Sequence, residues 1–261
     1  MPEAPEAAVA FLVVVPTLDS HALLPPLVAS LCRQSHRRWR LLFIDGPSPP
    51  EHRQALTQLC HRDGRLAWVA QKPGEPGIYG AMNQGFRAAA PHEWLLFWGS
   101  DDRAANDWVL ERLAERLAHQ PETDLLVAQA RYVDHRSGRP GRRSRLRWVG
   151  TLARSLALGS TPPHQATVFG PAARRRLNRY AAPYRLAADL DYFLRLSRWS
   201  DLRILNEPME LVRLGDGGVS GCQTRQRLKE VRQAYRSRFQ RWWWVPFLLR
   251  YGQRLGSVLG R

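Results

Sequence analysis

Short apolar runs alternate with segments of helical spacing through the first 120 residues of the chain. Runs that are apolar at every position predict strands buried on both faces, whereas apolar positions three or four residues apart predict helices. The strands are predicted at 9–15, 39–45, 65–71 and 93–99. The helices are predicted at 23–35, 49–63, 77–90 and 107–120. This order predicts an α/β fold whose mostly parallel central sheet is flanked by helices.

The pattern changes after residue 135. The basic, glycine-containing segment 135–148 predicts a mobile loop. Beyond it, the sequence predicts a strand at 164–170, a helix at 184–199, a strand pair around Asn206–Pro208 and a flexible loop at 215–221. A long, strongly basic helix follows that loop, and the chain ends in a second stretch of helical spacing.

The fourth predicted strand runs directly into two adjacent aspartates, Asp101 and Asp102. Two neighbouring carboxylates repel each other unless a cation or several donors lie between them. Mg²⁺ and Mn²⁺ are commonly held by one or two carboxylates plus substrate phosphates, so the pair indicates a divalent cation and a nucleotide substrate. A helix-capping aspartate is the alternative, but Asn106 or Asp107 can supply that cap. Because ligands of such sheets bind at the carboxyl ends of the strands, Asp45 is expected at the same edge.

The charge of the chain narrows the choice of partners. Its 39 lysines and arginines exceed its 23 acids, which gives a formal net charge of +16. Such an excess favours a polyanionic neighbour, namely nucleic acid, an anionic membrane or phosphorylated ligands. Apolar residues make up 44% of the chain, so we expect a packed core rather than disorder.

Several motifs that the sequence lacks limit the cellular compartment and the kinds of chemistry that we expect. Cys32, Cys60 and Cys222 are sparse and form no CxxC, which indicates a reducing compartment. The N-terminus does not resemble a signal peptide and no apolar stretch reaches about 18 residues, so we expect a cytoplasmic protein. The P-loop, the Rossmann glycine motif, HExxH and GxSxG are missing, which argues against the chemistries that those motifs carry.

Five motifs occur in the order in which family 2 glycosyltransferases carry them, and over roughly residues 10 to 235 the chain resembles that family. The motifs are VVVPTLD, FIDGPS, GIYGAMNQG, LLFWGSDD and AADLDYFLRL. The resemblance implies the GT-A fold and transfer of a sugar from a nucleotide-sugar, either a UDP- or a GDP-sugar. The chain looks like the bacterial branch that builds capsule, exopolysaccharide or lipopolysaccharide.

The resemblance also suggests a division of the chain. Residues 7–135 would form the nucleotide-sugar-binding half of the GT-A domain, and residues 136–221 would form the half that holds the acceptor and the catalytic base. Residues 222–261 would form basic C-terminal helices, a candidate membrane-interface segment.

On the donor side, the resemblance implies contacts from the ends of the first, second and fourth strands. The residues are Pro16, Thr17 and Asp19 beside the base, Asp45 on the base or ribose, Asp101 on the ribose, and Asp102 on the metal. The metal would be Mg²⁺ or Mn²⁺ bound to the diphosphate. Asp45 could instead be a turn-forming residue before Gly46.

On the acceptor side, the resemblance places Asp189 at the position of the catalytic base, with Asp191 as the alternative. Helix residues two apart point about 200° from each other, so both cannot face one acceptor. Asp189 could also be a helix-surface acid, Arg195 could pair with Asp191 or reach a phosphate, and His164 could be structural. The donor and acceptor pocket is expected to include Tyr79, Met82, Asn83, His164, Gln165 and Arg195.

The implied reaction is an inverting, metal-dependent transfer. One carboxylate deprotonates the acceptor hydroxyl, and the metal stabilises the nucleoside diphosphate as it leaves. Three positions depart from the family pattern: Gly80 and Ala188 stand where an acid is usual, and Gly99 stands where asparagine is usual. These departures put the donor sugar in doubt and leave a degenerate, inactive transferase open.

The C-terminal segment 240–261 predicts a basic amphipathic helix. Its apolar stripe contains Trp244, Leu248, Tyr251, Leu255, Val258 and Leu259. Tryptophan favours the headgroup level, and such helices lie in the membrane interface. We therefore expect contact with an anionic membrane surface at the inner face of the plasma membrane, beside a lipid-linked or glycan acceptor. A helix packed on the domain or across a dimer is the alternative.

Two other classes of protein fit parts of the sequence. A non-catalytic basic protein could bind nucleic acid or a membrane, with 242–244 stacking on bases. No RRM, KH or helix-turn-helix pattern accompanies those tryptophans, so no nucleic-acid partner is expected. A nucleotidyltransferase would need a glycine-rich loop after the first strand, and PTLDSHALLPP has no glycine.

Overall fold

The computed structural model describes residues 9–134, 139–215 and 224–259, and side chains as far as residue 252. Four parallel strands form one half of the central sheet, in the order β3-β2-β1-β4. They are β1 (Ala10–Thr17), β2 (Trp39–Asp45), β3 (Leu66–Ala70) and β4 (Glu93–Phe97). The strand β1 lies between two neighbours and is buried at five successive positions, as expected for a strand covered on both faces.

The helices of this half lie within the predicted segments. They are α1 (Leu24–Cys32), α2 (Pro50–Cys60), α3 (Gly77–Ala88) and α4 (Val109–His119). The helix α4 begins later than expected, because the Asn106 side chain accepts the N–H of Trp108 at 3.0 Å in a turn before the helix. Asn106 and Asp107 therefore do not cap α4, and the residue at its N-cap is Trp108.

The other half of the sheet is mixed. It contains β5 (Arg103–Ala104), β6 (Leu125–Val133), β7 (Pro140–Ser144), β8 (Thr167–Phe169) and β9 (Ile204–Gly215). The strand β8 pairs antiparallel with β4 and β6, β9 lies parallel to β6 and antiparallel to β5, and β7 pairs antiparallel with β6. The predicted α/β class with a helix-flanked sheet is confirmed, but the second half is less parallel than the first.

Two predictions for the second half are wrong. Part of the basic segment expected to be a loop forms β7, because an edge strand pairs through its backbone and leaves its charged side chains in solvent. The expected strand pair around Asn206–Pro208 is the single strand β9. Its register against β6 shifts between Val127 and Gln129, so a bulge absorbs Pro208, which has no N–H to donate, and the strand continues.

Five helices belong to the described part of the second half. They are α5 (Leu152–Ala157), α6 (Pro171–Arg176), α7 (Ala188–Leu196), α8 (Thr224–Phe239) and α9 (Trp244–Leu259). The short helices α5 and α6 were not predicted, whereas the other three lie within predicted helical segments. The loop predicted at 215–221 lies, beyond Gly215, outside the described residues, as does Cys222.

Apolar side chains cover both faces of the sheet. On β1, Phe11, Val13 and Val15 belong to one buried cluster, and Leu12 and Val14 belong to the other. The C-terminal helices α8 and α9 pack on the second cluster through Val231, Tyr235, Trp243, Phe247 and Tyr251. The C-terminal helices are therefore part of the folded core.

The apolar stripe predicted for the last helix is divided by this packing. Tyr251 faces the protein, whereas Trp244 and Leu248 remain 46% and 59% exposed. Leu255, Val258 and Leu259 lie beyond the described side chains. In the part of the chain that the structure describes, no helix is long and apolar enough to cross a bilayer.

Candidate active site

The side chain of Asp45 is buried at the end of β2 among four donors. Its Oδ1 atom accepts the Thr17 hydroxyl at 3.0 Å and the Ser48 hydroxyl at 2.6 Å, and lies 3.1 Å from Nε2 of His52. The Nε atom of Arg53 lies 3.3 Å from the other oxygen, Oδ2. The Thr17 and Ser48 hydroxyls fill the two lone pairs of Oδ1, so Oδ2, which accepts from Arg53, is the oxygen that can accept from a ligand.

His52 was not among the predicted site residues, although its ring orients Asp45. The ring is fully buried, and its Nδ1 atom accepts the backbone N–H of Ser20 at 3.1 Å. That bond leaves the proton of the neutral ring on Nε2, which faces Asp45. Burial lowers the pKa of His52, which also favours the neutral ring.

Pro16 and Asp19 lie at the same edge of the sheet. The Ser100 hydroxyl donates to the carbonyl of Pro16 at 3.5 Å and lies 2.8 Å from the hydroxyl of Ser20. The backbone N–H of Asp19 donates to the Ser48 hydroxyl at 3.0 Å. The ends of β1 and β2 and the loop after β4 are therefore hydrogen-bonded to one another.

Asp101 and Asp102 follow β4 in a tight turn. The Oδ2 atom of Asp102, a buried side chain, accepts the N–H of Gly99 at 2.6 Å. A Cβ atom at Gly99 would lie 3.0 Å from Oδ1 of Asp101 and 3.4 Å from Oδ2 of Asp102. Glycine at this position, in place of the expected asparagine, leaves room for both carboxylates around one point.

The electrostatics of Asp102 suit a cation site. Burial raises its pKa to about 8, the N–H of Gly99 opposes that rise, and the charge of Asp101 adds to it. A divalent cation would favour the charged form of such a carboxylate, and carboxylate oxygens are the ligands that Mg²⁺ and Mn²⁺ prefer. Asp102, with Asp101 beside it, therefore fits the predicted metal.

A second group of potential metal ligands lies beside Asp45. Asp19, His21 and His52 bring one ligand atom each to within 4.8 Å of one another. The Nδ1 atom of His52 already accepts the N–H of Ser20, and its Nε2 atom lies 3.1 Å from Asp45. A cation at this second place would have to displace one of those contacts, so the chemistry favours the pair after β4.

Asp189 lies in the first turn of α7 and is half-buried. The Tyr79 hydroxyl, from the motif helix α3, donates to its Oδ1 atom at 3.4 Å. Burial, and then the charge of Asp189, raise the pKa of Tyr79 well above its usual value, so the phenol keeps its proton. Tyr79 therefore holds one oxygen of Asp189 and leaves the other to face a ligand.

A ring cluster connects Asp189 to β4. The Nε2 atom of His164 lies 2.6 Å from the Tyr180 hydroxyl, and its ring stacks on Phe97 with centroids 5.6 Å apart. The ring of Tyr180 lies 5.0 Å from that of Tyr79. Burial lowers the pKa of His164 to about 4, although the charge of Asp189 opposes this. His164 is therefore a neutral ring packed between Phe97 of β4 and Tyr180.

The second candidate base, Asp191, is engaged elsewhere. Its Oδ2 atom lies 2.8 Å from Nε of Arg195, one helical turn further on, and the side chain is mostly buried. Arg195 also donates to the carbonyl of Arg179 at 2.9 Å. Of the two acids, the geometry favours Asp189 as the one that can meet an acceptor.

Three further residues predicted for the pocket have structural contacts. The Oδ1 atom of Asn83 accepts the N–H of Tyr180 at 2.7 Å, and its Nδ2 atom donates to the Tyr180 carbonyl at 3.3 Å. The carbonyl of Gln165 accepts the indole N–H of Trp98 at 3.0 Å. Met82 is buried in the core and does not line the cavity beside Tyr79.

A cavity of about 810 Å³ opens between the start of α3 and the segment that precedes α7. Its lining includes Tyr79, Asn83, Arg179, Arg185 and Arg195. It is large enough for a sugar and lies beside the Tyr79–Asp189 contact.

Residues 12–178 match the model of the family described as Glycosyl transferase family 2. The chain belongs to that family. This glycosyltransferase is 28% identical over 190 residues to the PGL/p-HBAD biosynthesis glycosyltransferases of Mycobacterium tuberculosis (strain ATCC 25618 / H37Rv) and Mycobacterium bovis (strain ATCC BAA-935 / AF2122/97). The alignment covers 72% of this chain and 70% of each relative.

Solved structures share its fold. Crystalline S. aureus TarS 1-349 in complex with UDP-GlcNAc superposes with a TM-score of 0.69 at 18% identity, over 87% of this chain and 66% of that one. The mannosyltransferase PcManGT from Pyrobaculum calidifontis, in complex with GDP-Man and Mn²⁺, superposes with a TM-score of 0.65 at 14% identity, over 92% of this chain and 69% of that one. The chain spans less than two thirds of the TarS structures it matches. The GT-A prediction is confirmed.

The structure of this glycosyltransferase explains why glycine occupies position 80, where the family usually has an acid. A Cβ atom there would lie 2.0 Å from the carbonyl oxygen of Glu75, far closer than any non-bonded contact. The side chain of Gln71 adds to the crowding, because its Nε2 atom would lie 3.0 Å from that Cβ. The chain before α3 therefore folds over the position and excludes any side chain.

Sequence reasoning also missed Glu230 of α8. Its buried carboxylate lies against the backbone N–H groups of residues 185–187, just before Asp189. The available signal was composition: Glu230 is the single acidic residue of an otherwise basic helix. Helical periodicity alone does not register such a residue.

Proposed function

We propose that this glycosyltransferase is an inverting, metal-dependent enzyme that moves a sugar from a UDP- or GDP-sugar to a lipid-linked glycan acceptor in cell-surface polysaccharide synthesis. One observation carries the proposal, which is that the ring cluster beside Asp189 reaches Phe97 of β4, the strand whose end leads into Asp101 and Asp102. Asp101 and Asp102 follow β4, and Asp189 lies across the contacts of Phe97, His164 and Tyr180. The first site suits a metal-bound diphosphate, and the second suits a hydroxyl group that loses its proton.

The proposed transfer is a single displacement at the anomeric carbon. Asp189 accepts the proton of the acceptor hydroxyl while that oxygen attacks from the face opposite the diphosphate, so the configuration inverts. The Tyr79 hydroxyl orients Asp189 through its hydrogen bond to Oδ1. A divalent cation held by Asp102 would supply positive charge to the departing diphosphate, so no protein acid is needed on the leaving side.

Two kinds of observation support a nucleotide-sugar donor. TarS is described in complex with UDP-GlcNAc, and PcManGT in complex with GDP-Man and Mn²⁺. In this chain, Oδ2 of the buried Asp45 accepts from Arg53 at 3.3 Å and has room to accept an N–H group of a base as well.

The decisive experiment is a calorimetric titration of UDP and GDP, each with and without Mn²⁺. Wild type should bind one nucleotide more tightly with the metal, and Asp102→Asn should lose that gain because the amide is a poor ligand for the cation. Asp107→Asn is the control and should bind like wild type, because this half-buried acid after the same strand pairs with Arg33 at 3.2 Å. Failure of wild type to bind either nucleotide would favour the inactive-transferase alternative.

We also propose that α9 holds the enzyme against the anionic inner face of the plasma membrane, where a lipid-linked acceptor would be presented. Trp242, Trp244 and Leu248 expose about half of their surface next to the basic helix α8. Large apolar side chains beside a dense positive charge are costly in water and favourable in an anionic interface. The packed side of α9 does not compete with this contact, because it uses other residues.

A further inference from the structure

We propose that Glu230 is a positioning residue for Asp189, so that the C-terminal helix α8 completes the active site. The proposal rests on the role of Asp189 proposed above. Glu230 lies outside residues 12–178, the part of the chain that matches the family model. The C-terminal helices would therefore do more than stabilise the fold.

The geometry is that of a helix cap supplied from another element. One oxygen of Glu230, Oε2, accepts the N–H groups of Arg185, Leu186 and Ala187 at 3.0, 2.7 and 3.0 Å. The other oxygen accepts from Nε2 of Gln226 at 2.9 Å. The residue is only 2% exposed, so these bonds are made away from water.

The helix α7 needs such a partner. Its N-cap residue is Ala187, whose methyl group cannot accept a hydrogen bond, and the following residue is Ala188. A carboxylate at a helix N-terminus accepts from N–H groups that have no partner within the helix, and its negative charge is attracted by the positive end of the helix dipole. Glu230 therefore holds the backbone that enters α7, including the N–H of its N-cap residue.

Asp189 lies in that first turn, directly after the capped segment. A shift of the turn would move the Asp189 carboxylate away from Tyr79 and from the acceptor hydroxyl. Misplacement of a reacting group by about 1 Å can cost about 100-fold in rate, whereas nucleotide binding at Asp45 and Asp102 would be unaffected. The predicted signature is a loss of turnover without a loss of nucleotide affinity.

The test compares Glu230→Ala, Glu230→Gln and the control Glu207→Ala. The control removes another largely buried carboxylate, that of Glu207 on β9, which pairs with Arg116 at 2.7 Å. Three readouts are measured: release of UDP or GDP from a panel of nucleotide-sugars, Mn²⁺-dependent nucleotide affinity, and hydrogen exchange of the amides at 185–189. Thermal unfolding of every variant shows whether it is folded.

Glu230→Ala should lower the turnover number about tenfold or more, leave nucleotide affinity within about twofold, and speed exchange at 185–187. Glu230→Gln should recover part of the turnover, because its amide oxygen can still accept. Glu207→Ala should change neither turnover nor that exchange. Unchanged turnover in Glu230→Ala, or an equal loss in the control, would overturn the proposal.

Failure of the proposed function gives a different result. If wild type released no nucleoside diphosphate from any donor, the catalytic consequence would fall with that function. Hydrogen exchange of the amides at 185–187 that is slow in wild type and fast in Glu230→Ala would then still show that Glu230 holds this segment.

Discussion

Single side chains at this site act through partners that lie far away along the chain. Asp45 is oriented by Thr17 from β1 and by His52 from α2, and Asp189 is held by Tyr79, which is 110 residues distant. Each of these bonds is made in a buried or half-buried setting, where an unpaired polar group is costly. Substitutions at this scale should therefore separate orientation of the site from its chemistry.

Replacement of His52 tests the orientation of Asp45. In His52→Ala, Asp45 loses one of its donors and the N–H of Ser20 loses its acceptor, so nucleotide affinity should fall about tenfold, since a hydrogen bond to a charged group is worth about 1.5–3 kcal/mol. His61→Ala, an exposed histidine after the same helix, should bind nucleotide like wild type. Equal affinities for the two variants in calorimetry would mean that His52 does not orient the site.

The two acids of α7 should respond differently to neutralisation. Asp189→Asn should lower turnover about 10²–10⁴-fold, the usual contribution of a general base, with nucleotide affinity unchanged. Asp191→Asn should mainly lower the free energy of unfolding, by about 1–3 kcal/mol, because it removes the negative charge from the bond to Arg195. Steady-state rates and denaturant unfolding measure the two effects. A larger rate loss in Asp191→Asn would reverse the assignment.

The buried ring of His164 gives a pH dependence of stability. Its pKa is lowered to about 4, so between the unfolded value of 6.5 and about 4 the unfolded chain binds a proton that the folded protein does not. Its contribution is therefore lost as pH falls through that window, whereas Asp102, with a raised pKa, contributes in the opposite sense. The effect must accordingly be measured as a difference between two proteins.

The comparison is between wild type and His164→Asn. Between pH 7.5 and 4.5 wild type should lose about 2–3 kcal/mol of unfolding free energy relative to the variant, at about 1.4 kcal/mol per pH unit below 6.5. Denaturant unfolding at the two pH values measures this difference. Parallel curves for the two proteins would show that His164 is protonated as readily in the folded protein as in the unfolded one.

At the scale of elements, close contacts between neighbouring segments decide which residue or backbone conformation fits at a given position. The chain before α3 folds over Gly80, and β9 passes Pro208 through a bulge against β6. At position 80 the family pattern leads us to expect an acid, and at Pro208 the sequence indicates the end of a strand. In both places the packing of a neighbouring segment produces a different structure.

Gly80→Ala tests the first of these approaches. Because its Cβ would lie 2.0 Å from the carbonyl oxygen of Glu75, the loop must move, and the free energy of unfolding should fall by about 1–3 kcal/mol. Gly64→Ala is the matched control, since a Cβ there meets nothing within 4 Å. Denaturant unfolding measures both variants. A stability loss in Gly80→Ala no larger than that of the control would show that the loop adapts freely.

At the scale of the whole molecule, the C-terminal helices have two sides with different properties. One side completes the core through Tyr235 and Phe247 and caps α7 through Glu230. The other side exposes tryptophan and leucine beside part of the +16 net charge. A surface of this kind predicts binding that needs both apolar insertion and electrostatic attraction.

Sedimentation with anionic phosphatidylglycerol vesicles measures that binding. Wild type should co-sediment at low salt and be released progressively by salt, and neutral vesicles should bind it less. Trp244→Ser should weaken binding, whereas Trp108→Ser, which replaces an even more exposed tryptophan at the start of α4, should not. The membrane proposal would be wrong if wild type stayed in solution or if both variants weakened binding equally.

The sequence by itself determined the elements of the parallel half-sheet, the α/β class and the family. These follow from local patterns: continuous apolar runs such as 11–15, helical spacing, and motifs such as GIYGAMNQG, which report burial and backbone conformation over a few residues. The acids after β2 and β4 could also be predicted, because strand ends are visible in the same runs. Local patterns misjudged β7, which pairs through its backbone, and β9, in which a bulge against β6 absorbs Pro208.

Only the tertiary structure decided which side chains hold those acids. The bonds of His52 to Ser20, Asn83 to Tyr180 and Glu230 to residues 185–187 join positions 32, 97 and 43 to 45 residues apart. The partner of a buried polar group is chosen by the packing of whole elements, and one sequence carries no record of that choice. For the same reason, the structure could separate Asp189, which accepts from the Tyr79 hydroxyl, from Asp191, which is paired with Arg195.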